Sequence, residues 1–346
     1  MASANSGLTD FLTEVDSQPS FLEKLAEYYT GPGSELLEQW RGLLESCSRV
    51  QFIGMGTSEI VPMLVRSRLE SAGKAVSIID AGEFVHYEAG FASSGTLHVL
   101  ISQSGESAET RKAALGLAEK SSPMVAVVND EQSTMARAAW LVLPMMAGEE
   151  KSISNKTYLN TLGVLHLMAG GTITDLRQVA DAMRSGFDED AVARAAGYLM
   201  PGDSIHFIAR GPALCSAHQL ALTFMEGAQA HGRAFTGGAF RHGPYEVLND
   251  GHRAVLLAPA GKTRELCLSM AGEMAAAGSH VVLVSDSDES TGHENIVTLK
   301  VSNPGGEELF PLAFARIQAW LLHHVARLRG YEAGVFSRVS KVTDVE

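Results

Sequence analysis

Short runs of Val, Ile and Leu near 49-53, 76-80, 97-101, 124-128 and 140-143 alternate with Ala-rich segments, such as 59-72 and 107-119, whose apolar residues return at helical spacing. Runs apolar at consecutive positions predict strands covered on both faces, the pattern of a parallel sheet. The second half repeats the alternation, with strands near 204-208, 253-257, 280-284 and 295-300 and helices near 214-229, 263-277 and 309-328. Residues 8-44 read as a mainly helical lead-in, and 155-170 as a helix leaving the first sheet that Gly170-Gly171 ends. From Gly334 to Glu346 no period is visible, and fraying is expected there unless something holds the chain. The prediction is an α/β chain of two open parallel sheets, each flanked by helices.

The two halves are related to one another. Phe52-Ile53-Gly54-Met55-Gly56 returns as Phe207-Ile208-Ala209-Arg210-Gly211, at an offset of 155 residues. Val99-Leu100-Ile101-Ser102-Gln103-Ser104-Gly105-Glu106-Ser107 returns, at 156, as Val255-Leu256-Leu257-Ala258-Pro259-Ala260-Gly261-Lys262-Thr263. At the same offset Phe84 and His86 meet Phe240 and His242, and the run 125-130 meets 281-286. A nearly constant offset over four segments implies duplicated domains. The expected division is a lead-in over 1-44, a first domain over 45-172, a second over 173-330 and a tail over 331-346.

The duplication sharpens the chemistry of one loop. After the strand at 97-101, Ser102, Ser104 and Ser107 supply hydroxyl donors and Gly105 allows close approach of the backbone, while a helix starting near Glu106 aims free N-H groups and its positive dipole end the same way. These are the requirements for holding a phosphate, although an ordinary strand-to-helix turn capped by Ser has the same letters. A second loop, Gly54-Met55-Gly56-Thr57-Ser58, follows the neighbouring strand and can close on the same anion. In the second copy Ser102, Gln103 and Ser104 become Ala258, Pro259 and Ala260, so one phosphate site per chain is expected, in the first half.

Composition narrows the classes. With 346 residues and 45% apolar content there is enough material for two cores. A formal charge of -13 without a basic run argues against a nucleic-acid surface. Cys47, Cys215 and Cys267 are odd in number and widely spaced, reading as buried thiols of a reducing cytoplasm rather than as metal ligands. No stretch reaches the roughly 18 to 20 apolar residues of a membrane span, and Met1-Ala2-Ser3-Ala4-Asn5 lacks a signal-peptide core. A cytoplasmic protein with no membrane or nucleic-acid partner is expected.

Four segments together resemble one family. Gly56-Thr57-Ser58, the loop from Ser102 to Ser107, the block from Met225-Glu226 through Phe240-Arg241-His242-Gly243-Pro244, and the tail Ser340-Lys341-Val342-Thr343-Asp344-Val345-Glu346 are similar to the sugar isomerase (SIS) superfamily, over nearly the whole chain. Within it the resemblance is to the double-SIS isomerase half of glucosamine-6-phosphate synthase and to stand-alone aminosugar-6-phosphate deaminases and 6-phosphofructosyl-amine deglycases. The resemblance implies a sugar 6-phosphate held by Gly56, Thr57, Ser58, Ser102, Gln103, Ser104 and Ser107. It implies Glu226 as the group moving a proton between C1 and C2, His242 as the ring-opening histidine, given by a neighbouring subunit of a homodimer, and Lys341 as the tail lysine forming an imine with an open-chain ketose. It requires no metal and no redox cofactor. A carbonyl shift between adjacent carbons needs such a base, a ring opener and a polarised carbonyl. Taken singly, Glu226 reads as the solvated face of a helix, His242 as a turn histidine and Lys341 as a solvated charge.

The departures concern how a sugar is held. The synthase pattern has a glutamate and a lysine seven and three residues before the catalytic glutamate, where this chain has Gln219 and Thr223, and a glutamate where Ala239 stands. Positions -7, -3 and 0 share a helix face, so the changed pair is expected to look into the same site. Lys156 matches the family's Ser-Thr-Lys pattern only with a one-residue ambiguity and is given no role. No glutaminase domain or early cysteine is present, so glutamine is not expected to be the ammonia source. The expected enzyme converts an aminohexose 6-phosphate to ketose 6-phosphate and ammonia. The alternatives are a deglycase acting on a 6-phosphorylated sugar-amine adduct and a non-catalytic phosphosugar sensor, although the acidic lead-in before Val50 offers no DNA-binding helix-turn-helix.

Overall fold

In the computed structural model the described residues are 9-88, 95-200, 202, 204-287, 292-336 and 338. The lead-in consists of helices α1 (Asp10–Thr30), which Thr9 caps by accepting from the Leu12 N-H, and α2 (Ser34–Ser46). The first half continues with β1 (Arg49–Gly54), α3 (Thr57–Ile60), α4 (Arg66–Ser71), β2 (Ala75–Asp80), α5 (Ala81–Glu83), β3 (Thr96–Ser102), α6 (Ala108–Glu119), β4 (Met124–Val128), α7 (Thr134–Ala138), β5 (Leu141–Pro144) and α8 (Lys156–Met168). The helix expected over 59-72 is interrupted by a short 3-10 turn around Pro62, which cannot donate to a regular helical ladder.

Two helices then join the halves, α9 (Ile173–Ser185) and α10 (Glu189–Leu199). The second half runs β6 (Ser204–Ala209), α11 (Leu214–Ala228), β7 (His231–Thr236), α12 (Gly237–Arg241), β8 (Arg253–Leu257), α13 (Arg264–Ala276), β9 (His280–Ser285), β10 (Ile296–Lys300) and α14 (Gly306–Leu328). The described strands form two parallel five-stranded sheets, ordered β2-β1-β3-β4-β5 and β7-β6-β8-β9-β10. The orders are identical under the repeat. Strand β7, which the hydropathy pattern does not predict, lies at the repeat offset from β2. It is an edge strand paired only with β6 and half exposed, so its polar sequence is what its position tolerates.

Alternating side chains on each strand feed different cores. Val99 and Ile101 of β3, with Phe207 of β6 and Val255 of β8, enter one large core filled by α1, α8, α9, α11 and α14 between the sheets. Leu100 faces α6 and α7 on the outer side of the first sheet, and Leu256 faces α12 and α13 on the outer side of the second. A shared inner core holds the two copies together and brings α11 of the second against α3 of the first. Among the described residues, no helix is long and apolar enough to cross a membrane.

Candidate active site

The first sheet reverses its strand order between β1 and β3, and the loops leaving the carboxyl ends of those two strands diverge there, the place where open parallel sheets leave a crevice. A cleft of about 400 Å³ opens at this point, within the usual range for small-molecule sites. Gly56, Thr57, Ser58, Ser102, Gln103, Ser104 and Ser107 all line it, and so does Glu226 from the second copy. The structure therefore brings together every described residue of the expected phosphate set with the expected proton-transfer carboxylate.

Local folding presents the hydroxyls. The N-H of Gly105 donates to Ser102 Oγ at 3.0 Å and the N-H of Glu106 to Ser104 Oγ at 3.2 Å. Each serine thus spends a lone pair on its own loop, which leaves its O-H to point at an anion. Glu106 Oε1 accepts from the Thr134 N-H at 2.6 Å, and that bond holds its carboxyl below the usual range. The charge is used to cap α7. Gly105 has φ +65°, and a Cβ there would overlap Ser133. Gly105→Ala should cost about 1 to 3 kcal/mol of stability, which a denaturation midpoint will read.

The opposite wall comes from α11. Leu222 and Glu226 lie one helical turn apart and both face the cleft. Gln219 and Thr223 do not. Gln219 is buried and accepts from Thr57 Oγ1 at 3.0 Å, so it anchors the 54-58 loop from behind. Thr223 donates back to the Gln219 carbonyl at 2.9 Å, and both side chains border a smaller void behind Ile153 and Ser154. The expectation that this pair looks into the cleft is corrected: the helix carries the two residues round into the shared core. Lys156 also points elsewhere, its Nζ donating to the Glu149 carbonyl at 2.6 Å and lying 4.2 Å from the Phe21 ring.

A third wall escaped the sequence reading. Glu150, Ser152 and Ser154 line the cleft from the segment before α8, and Thr157 from its first turn. Glu150 is buried and accepts from the N-H groups of Asn155 and Thr157, both at 3.0 Å, and from Thr157 Oγ1 at 2.7 Å. It caps α8. An acidic residue ahead of an apolar helix was the legible signal for that cap.

His242 is placed differently. It caps the C-terminal end of α12, is exposed, and is not among the residues lining the cleft of its own chain. Lys341 lies outside the described residues, while Phe336, near the end of those described, forms part of the cleft wall. Among the described residues no group of three or more His, Cys, Asp or Glu side chains converges so as to hold a metal ion.

The chain matches the SIS domain model over residues 43–169 and 198–302. Its sequence is 30% identical to the glutamine–fructose-6-phosphate aminotransferase (isomerizing) of Thermococcus kodakarensis, over 97% of this chain and 60% of that protein. The corresponding enzyme of Zymomonas mobilis is 29% identical over 96% of this chain and 58% of its own length. The chain thus spans somewhat under two thirds of these curated relatives. Among solved structures, the C-terminal domain of glucosamine-fructose-6-phosphate aminotransferase from Francisella tularensis superposes with a TM-score of 0.85 at 21% identity, covering 96% of this chain and 99% of that one. Glucosamine-6-phosphate deaminase from Thermotoga maritima gives 0.78 at 18%, with coverage of 96% and 99%. At these identities the superpositions speak for the fold.

Proposed function

The chain belongs to the SIS domain family, and on that premise we propose that it is a phosphosugar isomerase acting on an aminohexose 6-phosphate, with release of ammonia. The observation that carries the proposal is the convergence of the Ser102, Ser104 and Ser107 hydroxyls with the Glu226 carboxylate on opposite walls of one cleft. The two loops and the start of α6 bind the 6-phosphate dianion. That anchor directs the C1–C2 end of an opened sugar away from the loops, toward α11.

His242 of a neighbouring subunit helps to open the ring by moving the proton between the anomeric hydroxyl and the ring oxygen. Glu226 then removes the C2 proton of the 2-amino aldose. The electrons form a C1–C2 enolamine as O1 takes up a proton, and return of the proton to C1 with loss of one from nitrogen leaves a hydroxymethyl at C1 and an imine at C2. Water adds to that imine and ammonia departs, giving the ketose 6-phosphate. Lys341 is assigned the imine with the open-chain ketose that its family counterpart forms. The relatives named for an aminotransferase support amino-sugar chemistry. Retention of Glu226 in the cleft wall supports the same proton transfer.

A panel of hexose 6-phosphate derivatives, assayed for ammonia, free amine and ketose phosphate, tests this reading. Ammonia with ketose phosphate is the expected result. Release of an amino acid or other amine in place of ammonia makes the protein a deglycase, and binding without turnover makes it a sensor. In the same assay Ser104→Ala should weaken phosphosugar binding by about 1.5 to 3 kcal/mol, the loss of one hydrogen bond to a charged group.

A further inference from the structure

The second sheet has its own reversal of strand order, between β6 and β8, and the loops there are the repeat partners of the two phosphate loops. Gly211, with φ +57°, stands where the first copy has Gly56, with φ +54°. The loop 258-263 stands where the first copy has 102-107. This second crevice contains an anion belonging to the chain itself. The Lys262 N-H donates to Glu307 Oε1, the carboxylate overlaps the space that a Cβ on Gly261 would take, and Oε2 lies 3.2 Å from the position of a Cβ on Gly211. Glu307 therefore binds one loop and lies beside the other.

The substitution pattern explains the arrangement. In the first copy the N-H of Glu106 is satisfied by Ser104 Oγ. Its partner Lys262 has Ala260 where that serine would be, and takes the Glu307 carboxylate instead. The Ala260 N-H donates at 2.8 Å to Asp286. In the first copy the acid that follows the fifth strand, Glu150, spends its carboxylate on the cap of α8. Beside Glu307 a cleft of about 550 Å³ remains, lined by Arg68, His166, Lys262 and Thr263 and also by Asp175 and Glu308, with Arg68 paired to Glu308 and His166 to Asp175.

The geometry points to a second anion site, of the phosphate and phosphomonoester class, that Glu307 occupies in cis. The second copy is silent because a carboxylate fills its crevice as well as because Ala258 and Ala260 stand in place of two of the loop serines. Asp286 holds one loop N-H permanently, while the site filled by Glu307 opens if that side chain is removed.

The test is Glu307→Ala in the full chain, with inorganic phosphate as the probe. Removing the carboxylate should speed amide hydrogen exchange in 258-263 about tenfold or more, as loss of a charge-assisted hydrogen bond predicts. Phosphate should slow that exchange again in the variant and leave 258-263 unchanged in the wild-type protein. Because exchange is read at 258-263, the outcome is independent of whether the first cleft binds substrate. Exchange that rises but does not respond to phosphate overturns the proposal, as does exchange that never rises. Should the alanine variant not fold, Glu307→Ser also clears the crevice and is read by the same criteria.

Discussion

Glu226→Gln should lower kcat by about 100-fold or more while leaving phosphosugar affinity close to that of the wild-type protein, because the amide keeps the size and hydrogen bonding of the side chain and loses only its ability to take a proton. The separation follows from the site. The phosphate contacts are assigned to loops of the first sheet, whereas Glu226 lines the cleft from α11. Steady-state kinetics together with direct titration of a hexose 6-phosphate will distinguish the two effects. Turnover within a few-fold of wild type removes Glu226 from the mechanism, and a parallel loss of affinity assigns it to binding.

Mixing two inactive proteins, His242→Ala and Glu226→Gln, should restore activity under conditions that exchange subunits. His242 is exposed at the end of α12 and is not part of the cleft of its own chain. Two duplicated domains offer matching faces to a two-fold homodimer. In a heterodimer of the variants, one cleft would combine an intact Glu226 with an intact His242 from the other chain. Recovery to about a quarter of the wild-type activity is expected from equal mixing, since roughly half of the dimers are heterodimers and one of the two sites in each is complete. A fully active monomer, or no recovery after demonstrated exchange, counts against the shared site.

Much of the fold was legible because the apolar runs and the repeat are two independent signals that agree. The missed strand β7 shows where hydropathy fails: an edge strand with one partner and exposed faces has no need of an apolar sequence. The repeat offset from β2 carried the information that hydropathy lacked. The two loops that line the cleft were readable from local chemistry, since strand, hydroxyls, glycine and helix start are contiguous in the chain. Residues assembled from a distance were not. Gln219 reaches Thr57 across the two halves, Glu150 turns inward to cap α8, and Glu307 fills a crevice made by two loops well before it in sequence. Helical phase alone placed Gln219 and Thr223 with Glu226, but the position -7 to 0 face is broad enough that its two ends serve the shared core and the cleft separately.

The central claim, that the first copy alone binds the sugar phosphate and turns its C1–C2 end toward α11, is tested most directly by a crystal structure of the complex with a hexose 6-phosphate. The account predicts phosphate density between Gly56-Thr57-Ser58 and Ser102-Gln103-Ser104, with C1 and C2 on the Glu226 side of the cleft. Phosphate density at residues 258-263 of the wild-type protein, or a sugar bound with C1 and C2 remote from Glu226, would contradict it.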